Sequence, residues 1–377
     1  MADWDPFAVD DAAGGVVQMG AGMTFSVDDT YPMDGTDRRV VKRDFDKTLT
    51  MAVTKVHTEE PWVKAPNPLP DMSWHKASCT LEDWKHTEVK CEVGSGIAYF
   101  TINRPGDGNK LNGPVTAALL DAVFNLHSRP DIRVAVFTAE GTLFCAGGDP
   151  KGDGDGGFEK ASLPPEVQAA RDALGEKALK RGAFPDGKVN IGRLLQTRFW
   201  QVWATIPQFT ICLANGSAMG DGVGLCCVCD YTIAVEGAFF SLASVKSGLV
   251  PAGVAPYIVA KTGNGAAKRI FCTSENLSAK KAIDAGIVDE VVASVADGHK
   301  SIGTLCEQLT KCGPRTVQAA KELVLGVAGQ QMVNPLMFYT SMISAKVTNA
   351  EEAQQAIAAA AAGKPMPWEA TPIKPLK

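Results

Sequence analysis

A glycine-rich turn between two apolar segments constrains the fold of this chain more than any other feature. The turn runs Asn215-Gly216-Ser217-Ala218-Met219-Gly220-Asp221-Gly222-Val223-Gly224-Leu225, after the strand-like residues 209–213. Its glycines permit a sharp turn and a close approach of the backbone to a ligand. The apolar residues that follow are suited to a buried helix with exposed N–H groups at its start. The segment therefore predicts a buried strand, a tight turn and a buried helix.

A second glycine segment of the same character lies earlier in the chain. Phe144-Cys145-Ala146-Gly147-Gly148-Asp149 follows the strand-like run Val134-Ala135-Val136-Phe137-Thr138. If one N–H group from each segment faced the same carbonyl oxygen, the pair would form an oxyanion hole for a thioester enolate. The two segments together predict a site that stabilises negative charge on an oxygen.

Several ordered pieces of the sequence resemble the crotonase superfamily of enoyl-CoA hydratases and isomerases. Two of them are the glycine segments, with Cys229-Asp230-Tyr231 after the second. The others, in the family's order, are Thr101-Ile102-Asn103-Arg104-Pro105, Asn109-Lys110-Leu111, Phe240-Ser241 leading to Gly248-Leu249-Val250-Pro251, and Leu277-Ser278-Ala279-Lys280-Lys281-Ala282 leading to Gly286-Ile287-Val288-Asp289. The resemblance covers residues 90–345 and leaves the N-terminal part unexplained.

This resemblance implies an α/β fold with a crotonase-type ββα spiral core and a C-terminal helical oligomerisation region. We expect an N-terminal extension or arm at residues 1–88, the core at 89–276, the helical region at 277–362 and an extended tail at 363–377. An enlarged loop and helix insertion is expected at 149–193. Because the helical region packs between subunits in this family, a homotrimer or hexamer is implied.

Hydrophobic periodicity favours the same layered α/β organisation. Residues 89–93 and 97–102 alternate around Gly94-Ser95-Gly96, which predicts a hairpin. Ser278 is placed to cap a helix. The other predicted elements are strands at 134–138, 209–213 and 231–235 and helices at 114–126, 164–181, 278–285, 301–312, 314–327 and 335–361. Alternation of strands and helices is typical of an α/β core.

Matched residue by residue, the resemblance assigns the two oxyanion-hole donors to the N–H groups of Gly148 and Asp221. Glycine is usual at the second position, so Asp221 is a departure. The substrate-binding residues implied in the same way are Lys110, Leu111, Ala146, Gly148, Asp149 and Lys151. Both lysines are candidate contacts for the phosphates of an acyl-CoA.

The acid/base positions of the family carry no carboxylates in this chain. Hydratases that resemble it have glutamates where it has Gly224 and Ser244, and isomerases have a carboxylate where it has Ala252. Asp221 is the nearest substitute as general acid or base. Ser244 could orient a water molecule and Lys246 could neutralise an enolate. Ordinary hydratase activity is therefore expected to be weak or absent.

Two functional hypotheses remain open. The first is an acyl-thioester enzyme with hydratase, dehydratase or isomerase-type chemistry that uses Asp221. The second is a catalytically inactive structural or binding subunit with the crotonase fold. Residues 240–258 also resemble the dehydratases of polyketide β-branching, so the thioester carrier is either CoA or an acyl carrier protein.

Composition excludes several other classes. A net charge of −5 argues against nucleic acid as a partner, and no apolar run is long enough to span a membrane. The ten cysteines, including the Cys226-x-x-Cys229 pair, are interpreted as buried free thiols in a reducing, most simply cytoplasmic, compartment. The five histidines lie outside the resembling pieces, so no metal site is expected. Residues 152–157 match a dinucleotide motif only formally, since no βαβ unit frames them, and no cofactor is expected beyond acyl-CoA as substrate.

Overall fold

The computed structural model describes residues 77–149, 191–247, 250–328 and 334–376, together with short strands between residues 17 and 41. The chain divides into two compact units. Met1–Pro68 and Ala319–Gln354 form one unit, and Leu69–Gln318 and Gln355–Lys377 form the other. Lys151 and the helix predicted at 164–181 lie outside the described residues.

The strands of the described residues are β1 (Val17–Met19), β2 (Met23–Phe25), β3 (Val27–Met33), β4 (Thr36–Val41), β5 (Val89–Gly94), β6 (Ile97–Ile102), β7 (Val134–Ala139), β8 (Leu143–Cys145), β9 (Phe209–Ala214), β10 (Ser217–Met219), β11 (Tyr231–Val235), β12 (Phe239–Ser241), β13 (Asn276–Ser278) and β14 (Glu290–Val292). Their α-helices are α1 (Gly113–His127), α2 (Ile191–Thr205), α3 (Asp221–Val228), α4 (Ala255–Thr273), α5 (Ala279–Asp284), α6 (Val295–Thr310), α7 (Pro314–Val327), α8 (Asn334–Thr348) and α9 (Glu351–Ala361). Short 3-10 helices lie at Pro105–Asp107, Ala243–Ser247 and Pro367–Ala370.

A six-stranded sheet in the order β14-β11-β9-β7-β6-β5 forms the centre of the larger unit. Its strands are parallel except for the β5–β6 hairpin. Ser95 and Gly96 at the hairpin turn have φ values of 50° and 79°, as a two-residue type I′ turn requires. The predicted hairpin is confirmed. All residues of β6 and β7 are buried, which is the pattern of strands covered on both faces.

Separate apolar clusters cover the two faces of this sheet. On one face Trp203 of α2 contacts Phe100 and Phe137, with ring centroids 6.1 and 5.4 Å apart respectively. On the other face Ile302 of α6 and Ile373 pack with the remaining strand side chains, which include Ile97, Tyr99, Val134, Val136 and Ile211. This layered arrangement of strands and helices confirms the predicted α/β fold.

A smaller four-stranded sheet has the order β13-β12-β10-β8 and contains the strands next to the two glycine segments. Strands β8, β10 and β12 are parallel, and Ala218 of β10 pairs with both Cys145 of β8 and Phe240 of β12. Because parallel strands end at the same edge of a sheet, the residues after β8, β10 and β12 lie side by side. The two glycine segments are therefore neighbours.

Helix starts agree with the capping residues in the sequence. The Ser278 hydroxyl accepts a hydrogen bond from the Lys281 N–H, which confirms the predicted start of α5. Ser294 caps α6 in the same way, so this helix begins six residues before the predicted position 301. The single helix predicted at 335–361 is wrong, because α8 ends at Thr348 and α9 begins at Glu351. Thr348 and Asn349 have low helix propensity, which explains the break.

The smaller unit has antiparallel pairs β1–β2 and β3–β4 and the helical residues 319–354. Ile343 of α8 packs there with Leu323, Val327 and Val347. In the described part of the chain, no helix combines the length and apolar character needed to cross a bilayer.

Candidate active site

The turn after β8 and the turn after β10 pack directly against each other. Gly147 has φ of 97°, and a Cβ at this position would lie 2.9 Å from the Met219 carbonyl oxygen. Any side chain at 147 would therefore be both strained and in collision. The same Cβ position lies 3.6 Å from the Asp221 nitrogen. Since a Cβ is within about 4 Å of the next amide nitrogen, the Gly148 and Asp221 amide nitrogens lie within about 8 Å of each other.

The Gly148 amide points away from the neighbouring backbone. Leu111 forms a parallel bridge with Gly148, in which the Leu111 N–H donates to the Gly147 carbonyl and the Asp149 N–H donates to the Leu111 carbonyl, each over 2.9 Å. A parallel bridge of this kind uses the groups on either side of Gly148 and leaves its own N–H directed to the opposite side. The bridge to Leu111 therefore does not use the Gly148 N–H.

Asp221 is the first residue of α3, directly after Gly220. The N–H groups of a first helical turn have no acceptor within the helix, and the helix dipole makes this end favourable for negative charge. The Gly220 N–H donates to the Ser241 carbonyl over 2.9 Å, which fixes the turn against β12. The Asp221 amide is thus held at a helix start beside the Gly148 segment.

The carboxylate of Asp221 extends over Gly148. Its Oδ2 atom lies 3.0 Å from the position a Gly148 Cβ would occupy. The Gln196 side chain of α2 donates from Nε2 to the same Oδ2 atom over 3.1 Å. Gln196 was not predicted from the sequence, because a single glutamine in a helix belongs to no recognisable motif. Its role is visible only in the fold, which brings it beside the Asp221 carboxylate. Asp221 therefore presents an amide and an oriented carboxylate at one site.

Arg104 braces the loop that carries the predicted substrate-binding residues. Its Nη1 donates to the Lys110 carbonyl over 2.7 Å, and its Nη2 lies 2.8 Å from Asp107 Oδ2 and 3.7 Å from Asp149 Oδ2. Arg104 and Asp149 are both mostly buried. The ion pair engages the Asp149 carboxylate beside Gly148.

Most of the predicted substrate-binding residues lie at one place. The Ala146 N–H donates to the Gly108 carbonyl over 2.9 Å, and buried Leu111 bridges to Gly148. Lys110 is half-buried next to Leu111. Lys151 lies outside the described residues, so its predicted phosphate contact stays a prediction.

The position of the first expected glutamate is filled by a neighbouring side chain. A Cβ at Gly224 would lie 2.3 Å from Val254 Cγ1 and 2.8 Å from Val254 Cβ. Val254 is fully buried at the start of α4. The absence of a carboxylate at 224 is therefore built into the packing of α3 against α4.

The remaining predicted positions lie after β12. Ser244 is half-buried and Lys246 exposed in the 3-10 helix Ala243–Ser247, and Ala252 is exposed. Ser244 follows Ser241, whose carbonyl accepts the Gly220 N–H. Of Asp221, Gly224, Ser244 and Ala252, Asp221 alone carries a carboxylate.

The thiols near the site are poorly suited to nucleophilic chemistry. Burial raises the pKa of Cys145 to about 12, a hydrogen bond from the Gly147 backbone opposes this, and the negative charge of Asp221 adds to the rise. Cys226 and Cys229 are buried in the core, where Trp203 Nε1 donates to Cys229 Sγ over 3.3 Å. The Cys226-x-x-Cys229 spacing thus occurs within a packed core.

The sequence matches a family model and known enzymes over most of its length. The sequence model of the enoyl-CoA hydratase/isomerase family matches residues 92–175 and 190–370. The (E)-benzylidenesuccinyl-CoA hydratase of Thauera aromatica is 31% identical over 246 residues, which are 63% of this chain and 82% of that protein.

Solved structures share the fold. An enoyl-CoA hydratase/isomerase from Marinobacter aquaeolei superimposes with a TM-score of 0.64 at 24% identity, over 75% of this chain and 99% of that one. An enoyl-CoA hydratase from Shewanella pealeana superimposes with a TM-score of 0.64 at 22% identity. The superposition covers 77% of this chain and 100% of that protein. The predicted crotonase-type fold is confirmed, and the chain belongs to the enoyl-CoA hydratase/isomerase family.

Proposed function

We propose that this protein forms the enolate of an acyl-CoA thioester and that Asp221 moves the proton, so that the reaction is shifting a double bond rather than adding water. The observation that carries the proposal is the placement of the Asp221 carboxylate over Gly148 while its amide stands at the start of α3. One residue thus supplies both a base and an oxyanion donor.

The oxyanion hole of this proposal consists of the Gly148 and Asp221 N–H groups. The Gly148 N–H is directed away from Leu111, and the Asp221 N–H lies at a helix start. Preorganised donors of this kind contribute about 3 to 4 kcal/mol each to stabilising the developing charge. The buried ion pair of Arg104 and Asp149 and the Leu111 bridge keep this segment rigid.

The charge balance favours Asp221 as a base. When its carboxylate takes a proton from the carbon next to the thioester, the C–H electron pair forms the enolate and the charge passes to the thioester oxygen. The carboxyl is then neutral while the oxygen between the two amides is negative, so the two groups do not repel each other. Returning the same proton to a more distant carbon of the enolate moves the double bond and regenerates the carboxylate.

One carboxylate suffices for this reaction but not for hydration. Hydration needs one group to activate water and another to protonate carbon, and each contributes about 10² to 10⁴ in rate. The two positions where the family's hydratases carry glutamates hold Gly224 and Ser244 here, and Val254 fills the space beside the first. Gln196 orients the remaining carboxylate.

A second candidate function is acyl-thioester binding without turnover. The packing of Val254 against Gly224 favours it, because this packing excludes the first expected glutamate altogether. The two functions differ in whether the carbon next to the thioester exchanges protons.

Proton exchange in D₂O tests the proposal without knowledge of the natural acyl chain. Saturated and 3-enoyl-CoA thioesters are incubated with the protein, and deuterium uptake and conversion to the 2-enoyl form are followed by mass spectrometry and absorbance. We expect exchange and isomerisation that fall by about 100-fold or more in Asp221→Asn. In Gln196→Ala we expect kcat to fall about 10-fold with little change in KM, because ground-state binding is unaffected.

Gln201→Ala is the matched control, since Gln201 lies on the same helix but is exposed and accepts from Arg198. Acyl-CoA binding without any exchange would overturn the enzyme proposal in favour of the binding function. Crotonyl-CoA hydration that survives Asp221→Asn would show that other groups carry the protons. Repeating the assay with acyl carrier protein thioesters distinguishes the two carriers.

A further inference from the structure

A cluster of metal-binding side chain types lies outside the candidate active site, where the segment before β5 packs on helix α1. Cys79 and His86 belong to that segment, and Asp121 belongs to α1. One ligand atom from each of the three residues lies within 4.8 Å of the other two. Cys79 is 8% exposed and Asp121 is 3% exposed. The fold therefore brings a buried thiol, a partly buried imidazole and a buried carboxylate together.

The three side chains converge on a single carboxylate oxygen. His86 Nε2 lies 2.9 Å and Cys79 Sγ 3.8 Å from Asp121 Oδ2. The Ser78 N–H, at 3.0 Å, and the Ser78 hydroxyl contact the same atom. Four donor groups thus share one carboxylate oxygen, which has two lone pairs. A cation bound between the thiolate, the imidazole and the carboxylate would replace two of these four hydrogen bonds, those of Cys79 and His86.

The separations are within about 0.5 Å of those expected around a tetrahedral zinc ion. Zinc binds thiolate at about 2.3 Å and imidazole or carboxylate at about 2.0 to 2.2 Å. Ligand atoms at the corners of such a tetrahedron lie about 3.3 to 3.7 Å apart. The 3.8 Å contact of Cys79 with Asp121 is close to this range, and the 2.9 Å hydrogen bond of His86 to Asp121 would lengthen by about 0.5 Å when zinc enters. A set of sulfur, nitrogen and oxygen donors suits zinc better than calcium or magnesium, which prefer oxygen alone.

We propose that Cys79, His86 and Asp121 bind one Zn²⁺ ion, which fastens the segment before β5 to helix α1. A water molecule completes the tetrahedron, and the Ser78 hydroxyl stays hydrogen-bonded to the Asp121 carboxylate. Binding displaces the thiol proton of Cys79 to solvent and leaves His86 neutral, as zinc ligation requires. The site is structural, because its ligands are mostly buried and none of them belongs to the glycine segments of the candidate active site.

The surrounding contacts hold the ligands in place. Asn125 Nδ2 donates to the Cys79 carbonyl over 2.9 Å and to the Asp121 carbonyl over 2.8 Å. The Trp84 ring packs edge-on against His86, with centroids 4.9 Å apart, and its Nε1 donates to the Val89 carbonyl over 2.6 Å. This outer layer orients the imidazole and links it to the first residue of the central sheet, as partners around metal sites commonly do.

No sequence pattern indicates this site. Its histidine lies outside the pieces that resemble the crotonase family, and the spacing from 79 to 86 to 121 matches no recurrent zinc motif. Only the packing of the 77–88 segment on α1 brings the residues together. The prediction that no metal site is expected is therefore replaced by this proposal.

Titration of the full-length, reduced and metal-free protein with Zn²⁺ and Co²⁺ tests the proposal. We expect one tightly bound Zn²⁺ per chain, and with Co²⁺ a thiolate-to-metal absorption band together with the intense visible bands of tetrahedral cobalt. Cys79→Ser should remove the thiolate band, and both Cys79→Ser and His86→Gln should weaken zinc binding about 100-fold or more. The thermal midpoint of the wild type should rise with zinc, and that of the variants should not.

Two controls separate this site from other thiols and imidazoles. Cys91→Ser and His299→Gln carry the same substitutions at half-buried residues outside the cluster, and both should bind zinc like the wild type. The cobalt spectrum of the wild type needs no variant, so the test does not depend on whether a variant folds. Absence of the thiolate band, or equal zinc affinity in Cys79→Ser and the wild type, would overturn the proposal. The segment before β5 would then be held to α1 by hydrogen bonds alone.

Discussion

Gly224 and Val254 show how packing excludes a larger side chain at one position of the candidate site. The Val254 side chain occupies the space in which a glutamate at 224 would begin, with contacts of 2.3 and 2.8 Å to a Cβ there. Restoring the carboxylate of the hydratases therefore requires two substitutions.

The stability of a double variant tests this interpretation. Gly224→Glu alone should destabilise the protein by about 2 kcal/mol, because an added side chain overpacks a full core. Val254→Gly alone leaves a cavity and should also destabilise. The double variant should be more stable than the sum of the two single effects by about 1 kcal/mol or more. Urea unfolding of the four proteins measures this coupling, and additive effects would contradict the packing described here.

Thiol reactivity at the residue scale follows from burial. The pKa of Cys145 is raised to about 12 by burial, so almost no thiolate forms at pH 8. Cys272 and Cys312 are exposed. We expect iodoacetamide at pH 8 to label these two rapidly and Cys145 only after unfolding. Peptide mass spectrometry with and without urea measures the order, and rapid labelling of Cys145 in the folded protein would contradict a closed site.

At the scale of elements, an ion pair joins α4 to the central sheet. Lys261 Nζ lies 2.8 Å from Asp289 Oδ2 and donates to Thr232 Oγ1 over 3.0 Å. The same Asp289 oxygen accepts the Thr232 N–H over 2.7 Å. Burial lowers the pKa of Lys261, but the charge and hydrogen bond of Asp289 raise it above the ordinary lysine value. Helix α4, strand β11 and the turn before β14 are thus fixed at one point.

Removing the carboxylate should leave a buried ammonium without its counter-ion. We expect Asp289→Asn to destabilise the protein by about 2 to 3 kcal/mol at pH 7. In the wild type, protonated Lys261 contributes fully to the free energy of unfolding below its unfolded pKa of about 10.4. This contribution is lost as the pH rises through the higher pKa of Lys261 in the folded protein. The stability difference between variant and wild type should therefore narrow above pH 10. Urea unfolding at pH 7 and in this alkaline range checks both statements, and Asp284→Asn, a surface substitution in α5, is the control.

Element types were predictable where a local signal exists. The hairpin of β5 and β6 follows from its alternation and its Gly94-Ser95-Gly96 turn, and α5 from its capping serine. The break between α8 and α9 was missed, because alanine-rich periodicity continues across it.

In the candidate site, sequence identified Gly148 and Asp221 by their position in the two glycine segments. It could not show the direction of the Asp221 carboxylate or the contribution of Gln196, since both depend on how α2 packs beside α3. The direction of a side chain and its contacts with residues distant in the sequence depend on tertiary packing, which a local sequence pattern does not encode.

At the scale of the larger unit, the residues after α9 complete the second face of the central sheet. Ile373 is 4% exposed and packs in the cluster that contains Ile97, Tyr99 and Ile302. Its N–H donates to Thr310 Oγ1 over 3.0 Å, and the Lys374 N–H donates to the Ser95 carbonyl over 3.1 Å. The 3-10 helix before it is fastened by Trp368 Nε1, which donates to the Lys311 carbonyl over 3.1 Å.

Truncating Ile373 should therefore affect the whole unit. We expect Ile373→Ala to lower the free energy of unfolding by about 3 kcal/mol, because a buried aliphatic side chain is lost and a cavity remains. Ile357→Ala makes the same change at a residue that is 56% exposed and should cost less than about 0.5 kcal/mol. Chemical unfolding measures both changes. If the two variants lost the same free energy of unfolding, the segment around Ile373 would not stabilise the sheet.

The packing of Ile373 also bears on how the protein is made. Ile373 follows all six strands of the central sheet in the sequence, so one of the side chains that cover Ile97 and Tyr99 is translated after the whole sheet. Until then that face of the nascent sheet lacks part of its apolar cover and is open to unwanted association. The second face of the central sheet can therefore be closed completely only after Ile373 has been translated.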